Sequence, residues 1–246
     1  MEKLFASLNS FVTPDNWPGE LFLLPQDAMR YIYQFIVDNK RHSCIELGTG
    51  FGATSCVIGA AVRELGGGRV ITIDKYLHPH VNAKVLMRHV GLSDDSIDVV
   101  AEILGYNWYL ADLLQEQTHN GVCTPLFDFC LLDGAHEWEP DALAFSLVAK
   151  LLKPGGWIAI DDINFCLRMI PTWQKSHGNY TDRELDTFQM RMVYELGVQQ
   201  HPDFGDFHLT HEGRIGWARK KLPVADRKTS VAERIMTLFS RSHTKT

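Results

Sequence analysis

Apolar runs of strand length alternate along this chain with longer stretches whose apolar residues recur at helical spacing, the pattern of an α/β fold. Residues 27–38 place Met29, Ile32, Phe35 and Ile36 on one helical face. A short apolar strand over residues 43–47 ends in glycines, and an Ala-rich helix over 54–65 is stopped by Gly66-Gly67-Gly68. Residues 70–73 form a β-branched strand closed by Asp74. The pattern then repeats: helix 82–90, strand 97–103, helix 108–117, and a buried strand 126–132 ending at Asp133. A helix over 141–152 is stopped by Lys153-Pro154-Gly155-Gly156, and a fifth strand, 157–160, ends in Asp161-Asp162.

Five strands separated by helices, each with polar residues just past its end, describe a doubly wound Rossmann-like sheet with helices on both faces. Such sheets bind ligands at the carboxyl ends of their strands, near the point where strand order reverses. No internal repeat or low-complexity segment interrupts the pattern. The expected organisation is one domain over residues 1–219, with an N-terminal helical cap (1–40), an insertion (164–207) and a basic tail (220–246).

Composition narrows the class. The 246 residues are 45% hydrophobic and 22% charged, which supports a core large enough to enclose a cofactor and excludes a disordered chain. The net charge of −6 argues against nucleic-acid binding over the whole surface. That charge is uneven, because residues 219–246 carry +6 and the remainder −12. In the tail, Ser230 to Glu233 reads as a capping box, followed by Ile235, Leu238 and Phe239 on one face of a basic helix. A docked terminal helix without separate function is the expectation there. The five cysteines, Cys44, Cys56, Cys123, Cys130 and Cys166, are scattered and mostly apolar in context, which reads as reduced, buried thiols of a cytoplasmic protein. No membrane span or signal peptide is expected.

The loop Glu46-Leu47-Gly48-Thr49-Gly50-Phe51-Gly52 joins the first strand to its helix. Its glycines permit a tight turn and close approach of a ligand, and a nicotinamide dinucleotide would also satisfy the bare spacing. Three features favour a different ligand. The Glu46 carboxylate would repel a pyrophosphate and suits a cationic ligand. Asp74 follows Gly52 by 22 residues, where it can grip the ribose hydroxyls of an adenosine. The Lys-Pro-Gly-Gly turn precedes the fifth strand.

With these pieces in this order, residues 27–219 resemble the class I S-adenosylmethionine-dependent methyltransferases. The late strand Gly213 to Arg219 is similar to that fold's terminal antiparallel strand. The resemblance implies that Glu46, Gly48, Thr49, Gly50, Gly52, Asp74 and Asp133 hold the cofactor.

Asp133, Asp161 and Asp162 close two neighbouring strands, so their carboxylates can converge. Like charges that close repel unless a cation lies between them, and hard oxygen ligands suit Mg2+. Capping of the following helices is the plainer role of each aspartate taken singly. The spacing is similar to that of the metal-dependent O-methyltransferases of the sugar and catechol types, and the Asp-Asp pair is similar to the sugar enzymes. That resemblance implies a magnesium site on Asp133, Asp161 and Asp162, with His136 as general base. Ala135 stands where some sugar enzymes have a further acid, which leaves the base open.

Phe165, Trp173, His177, Tyr180, Phe188 and Tyr194 enrich the insertion in aromatics. Trp138 and Trp173 are the candidates for acceptor contact, while Phe188, Met192 and Leu196 recur at helical spacing as candidate core. Trp17, Phe22 and Tyr31 would form a further wall or a homodimer contact. The reading is an S-adenosylmethionine- and Mg2+-dependent O-methyltransferase acting on a small-molecule hydroxyl. A sugar or polyol of secondary metabolism comes first and a catechol-like phenol second. The alternatives are a nucleic-acid methyltransferase and a non-catalytic cofactor-binding or scaffolding subunit.

Overall fold

The computed structural model describes residues 1–14, 21–170 and 180–223. Trp17, Trp173, His177 and the tail helix expected from Ser230 lie outside the described residues. The chain runs through α1 (Glu2–Asn9), α2 (Gln26–Asp38), β1 (Ser43–Leu47), α3 (Ala53–Glu64), β2 (Arg69–Asp74), α4 (Ala83–His89), β3 (Asp98–Ala101) and α5 (Tyr106–Gln117). A small hairpin follows, β4 (Thr118–His119) and β5 (Val122–Cys123), then β6 (Phe127–Leu132), α6 (Trp138–Leu151) and β7 (Leu152–Ile160). Short helices lead to β8 (Phe204–Thr210) and β9 (Ile215–Lys220).

Seven strands form one sheet in the order β3-β2-β1-β6-β7-β9-β8. β3, β2, β1, β6 and β7 are parallel, and β9 pairs antiparallel with both β7 and β8. The strand order reverses between β1 and β6, so the loops after these two strands face a common crevice.

Side chains of successive strand residues feed opposite layers, as the period of two requires. Cys44 of β1 and Phe129 and Leu131 of β6 pack with α1–α4 residues such as Leu8, Ile32, Val57 and Met87. Ile45 and Leu47, with Cys130 and Leu132, pack instead with Leu110 of α5 and Phe145 and Val148 of α6. Each fully buried aliphatic chain of this kind contributes about 1.5–3 kcal/mol. Apolar residues on both faces explain why β1 and β6 read as continuous apolar runs.

Three expectations need correction. Lys153-Pro154-Gly155-Gly156 does not separate α6 from a strand starting at residue 157; it lies within β7, where the pairing with β6 shifts register between Phe127 and Phe129. That irregularity accommodates a proline and a Gly155 at φ +80°. The core face of the 189–198 segment is Met190, Val193, Tyr194 and Val198, whereas Leu196 is exposed and Phe188 and Met192 are only partly buried. Residues 193–198 form a π-helical turn, which rotates the inward face away from the simple helical spacing. The five cysteines are free, but Cys123 and Cys166 are only partly buried.

Candidate active site

A cavity of about 750 Å³ opens at the carboxyl ends of β1, β2, β6 and β7. The glycine loop, Asp74, the segment Asp133 to Glu137, Asp162, Phe165 and Arg214 all line it. Its size suits an adenosine-containing ligand and a small co-ligand.

The glycine loop is fastened from below by its own neighbours. Oδ2 of Asp74 accepts the backbone N–H groups of Thr49 and Gly50 at 3.0 and 2.9 Å. Oδ1 of Asp74 accepts the N–H of Lys75 at 2.7 Å. Asp74 thus shapes the loop besides facing the cavity. The Thr49 hydroxyl lies 2.6 Å from that of Thr72.

Gly48 has φ +97°, and a Cβ there would stand 1.7 Å from the Asp133 carbonyl oxygen. The close approach joins the β1 and β6 tips, which are also tied by Asp133 N–H donating to Leu47 at 2.9 Å. Gly48→Ala should therefore lower folding stability by at least ~3 kcal/mol, with a lowered urea midpoint, because strain and clash add. A loss below about 1 kcal/mol would contradict this geometry.

Glu46 is buried between the sheet and α3. One carboxylate oxygen accepts the Thr72 hydroxyl at 2.6 Å and the Ser55 hydroxyl. Burial pushes the carboxyl up to about 7, against the lowering effect of those two hydroxyls. A carboxylate held at such cost beside the glycine loop is suited to a positively charged ligand group.

The second half of the site is the loop after β6. His136 adopts φ +59°, as does Asp162, and both are non-glycine residues in left-handed backbone. Such conformations cost about 1–3 kcal/mol each and persist where their surroundings hold them. Around His136 the holding is visible. The Ala135 N–H donates to the Tyr106 hydroxyl at 3.2 Å, and the Glu137 N–H donates to Asp141 Oδ2 at 3.1 Å. The Tyr106 hydroxyl itself donates to Asp141, which is fully buried at the start of α6. A Cβ on Gly134 would meet Asp141 Oδ1 at 2.5 Å and the Tyr106 oxygen at 2.6 Å, so this clasp requires glycine. Burial raises the Asp141 carboxyl despite the Tyr106 hydrogen bond, and burial also raises the Tyr106 phenol, keeping it a donor.

The ring so placed has Nδ1 3.2 Å from Asp162 Oδ2 and Nε2 4.0 Å from Asp133 Oδ1. Phe165 meets the His136 ring edge to face, with centroids 5.7 Å apart. Burial, then Asp161 and Asp162, push the Asp133 carboxyl well above the usual range. Asp162 is raised by burial and Asp161, against the opposing pull of His136 and Arg214.

Asp161 departs from the sequence expectation. Its carboxylate is fully buried and accepts both Nε and Nη2 of Arg214, at 2.9 and 2.7 Å. Arg214 Nη2 also reaches Asp162 Oδ1 at 3.0 Å. Although burial opposes its charge, the aspartates hold the guanidinium above its ordinary value. Asp133, His136 and Asp162 can each offer one ligand atom within 4.8 Å of the others, but Asp161 is not in that group. The magnesium site expected on three carboxylates therefore does not fit the residues as arranged, since Asp161 is spent on a guanidinium.

Trp138 also differs from expectation. It opens α6 and lines a smaller neighbouring cavity with Arg183, Gln189 and Met192, and it is absent from the lining of the main cavity. The aromatic rings lining the main cavity, among the described residues, are Phe51, Tyr76, Tyr106, His136 and Phe165. Arg214, Tyr106 and Asp141 were not singled out by the sequence. Arg214 sits on the turn into β9 and reads locally as one more basic residue.

A family model described as a methyltransferase domain matches residues 45–163, from β1 to just past the Asp161-Asp162 pair. No curated protein matches significantly. Among solved structures, an O-methyltransferase from Bacillus cereus in complex with SAH matches with a TM-score of 0.62 at 18% identity, covering 90% of this chain and 91% of that one. The O-methyltransferase TomG from Streptomyces achromogenes, involved in tomaymycin synthesis and bound to SAM, matches with a TM-score of 0.55 at 17% identity, covering 90% of each chain. MycE of the mycinamycin pathway, in complex with Mg, SAH and mycinamycin VI, matches with a TM-score of 0.52 at 16% identity, covering 80% of this chain and 50% of that one.

Proposed function

We propose that this chain, a methyltransferase by its domain over residues 45–163 and by its class I fold, moves the methyl group of S-adenosylmethionine onto a hydroxyl oxygen of a small molecule. The observation that carries the reading is that the glycine loop with Glu46 and the His136–Asp162 pair face one cavity. The O-methyltransferases of similar fold support it.

The division of labour follows from the geometry. The acidic Glu46 and the backbone of residues 48–52 bind the cationic end of the cofactor, and Asp74 faces its ribose. Bound S-adenosylmethionine supplies an electrophilic methyl group whose transfer neutralises the sulfonium. The Asp162 carboxylate, 3.2 Å from Nδ1 of His136, would draw a proton to that nitrogen in the loaded site and leave Nε2 as the base. Nε2 then removes the proton of the acceptor hydroxyl as the oxygen attacks the methyl carbon. The loop clasp of Tyr106 and Asp141 keeps the imidazole in place, and Phe165 excludes water on one side. Alignment of oxygen, carbon and sulfur supplies much of the acceleration.

A sugar or polyol hydroxyl is the first acceptor class and a catechol-like phenol the second; Phe51, Tyr76 and Phe165 offer faces to either. Transfer of labelled methyl to a panel of glycosides, polyols, catechols, DNA and RNA tests this. Label in a hydroxyl acceptor is expected. Label in nucleic acid, falling steeply with salt, would replace the reading by a nucleic-acid methyltransferase. Tight SAH binding without transfer to any acceptor would favour a non-catalytic subunit.

A further inference from the structure

We propose that Arg214 is a positioning residue that occupies the charge-balancing place a metal ion would take at the Asp133/Asp161/Asp162 cluster, and that it holds Asp162 against His136. The inference rests on the methyl-transfer reading above and deepens it: proton removal at this site runs on an Arg–Asp–His chain of this protein's own residues.

Three observations support it. First, the guanidinium fork engages both oxygens of Asp161 at 2.9 and 2.7 Å, a bidentate arrangement that leaves Asp161 no oxygen without a strong donor. Second, Nη2 continues to Asp162 Oδ1 at 3.0 Å, and the other oxygen of Asp162 faces His136 Nδ1 at 3.2 Å. The cation on Arg214 and the ring on His136 are therefore linked through one carboxylate. Third, Arg214 is anchored by its backbone too, because the Ile163 N–H donates to the Arg214 carbonyl at 2.8 Å. The guanidinium is built onto the tip of β7, with its side chain only 26% exposed.

An ion and this guanidinium would compete for the same oxygens. A planar fork also differs from a metal in what it does. It cannot accept an acceptor hydroxyl as a ligand, so it leaves the task of making the oxygen nucleophilic to His136. A lysine in its place would keep the charge but lose the two-pronged hold on Asp161.

The test uses the full chain, with thermal unfolding and calorimetric titration of MgCl2 and MnCl2 in the wild type, Arg214→Gln and Arg214→Lys. SAH binding is measured alongside, so that failure of the cofactor reading shows separately. In the wild type, EDTA and millimolar Mg2+ or Mn2+ should leave the unfolding temperature unchanged within about 1 °C, with no saturable metal binding. Arg214→Gln uncovers the carboxylates and should lower the unfolding temperature by roughly 10 °C, with Mn2+ or Mg2+ restoring part of the loss. Arg214→Lys should lie between. The ring 15N resonances of His136, read at one fixed pH, should move in Arg214→Gln, where Asp162 loses its hold, and move less in Arg214→Lys. Saturable metal binding by the wild type that is lost on Asp161→Asn would overturn the proposal. So would an Arg214→Gln variant that neither gains metal response nor changes the His136 ring resonances. Should Arg214→Gln not fold, the same two comparisons are made on Arg214→Lys, where no change in either would equally overturn it.

Discussion

His136→Gln is expected to lower kcat about 100- to 10,000-fold with the hydroxyl acceptor that the panel identifies, the range typical for loss of a general base. Glutamine keeps a polar side chain beside Asp162 but has no group that takes a proton near neutral pH. KM for S-adenosylmethionine and the affinity for SAH should change little, because the ring faces Asp162, Asp133 and Phe165 and not the glycine loop. A variant retaining kcat within about threefold of wild type would remove His136 from the reaction.

The second large effect concerns Glu46 and has opposite signs for stability and for binding. Its carboxyl is pushed up to about 7 in the folded protein, from 4.5 when unperturbed, chiefly by burial. A raised carboxyl binds its proton more tightly folded than unfolded. The associated stability is thus fully present below pH 4.5 and is lost as pH rises through 7. From the size of the shift, on the order of 3 kcal/mol is at stake, as an upper bound. Glu46→Gln keeps an acceptor for Ser55 and Thr72 without the buried charge. It should therefore unfold at roughly 5–10 °C above wild type at pH 8 and at nearly the same temperature at pH 4. The same change should weaken SAH binding, because the cationic end of the ligand loses its counter-charge. Thermal unfolding at the two pH values and one titration of SAH measure both. A variant less stable than wild type at pH 8, or equal in SAH affinity, would contradict the assignment. Stability given up at a binding residue is the usual relation between a functional charge and its host.

The features of the fold and site that were legible in the sequence share one property: their signals are local. The glycines after β1, the acid after β2 and the aspartates after β6 and β7 each stand next to a strand whose apolar run is plain, so a reading of strand ends finds them. The cavity gathers Glu46, residues 48–52, Asp74, Asp133, His136 and Asp162 as a doubly wound sheet requires. What escaped depends on contacts between distant segments. Arg214 is 53 residues from Asp161, and nothing around it in sequence marks it as that carboxylate's partner. Tyr106 and Asp141 sit in helices whose apolar pattern hides a buried polar pair. The β4–β5 hairpin carries its signal in Asn120-Gly121, both at positive φ, but two-residue strands leave no alternation to read. Trp138 reads as an acceptor contact for its aromatic face, yet the start of α6 turns it toward a different cavity. Proximity in sequence stops predicting direction once a helix begins.

The glycine loop with Glu46 and Asp74 is expected to take S-adenosylmethionine and not a dinucleotide. Calorimetric titration of the wild type in EDTA with SAH, and separately with NAD, tests it most directly. One saturable site for SAH is expected, none for NAD, and an unfolding temperature raised by roughly 5–10 °C when SAH is at about 100 times its Kd. Saturable binding of NAD with no response to SAH would contradict it, because a pyrophosphate would then be lying beside the Glu46 carboxylate.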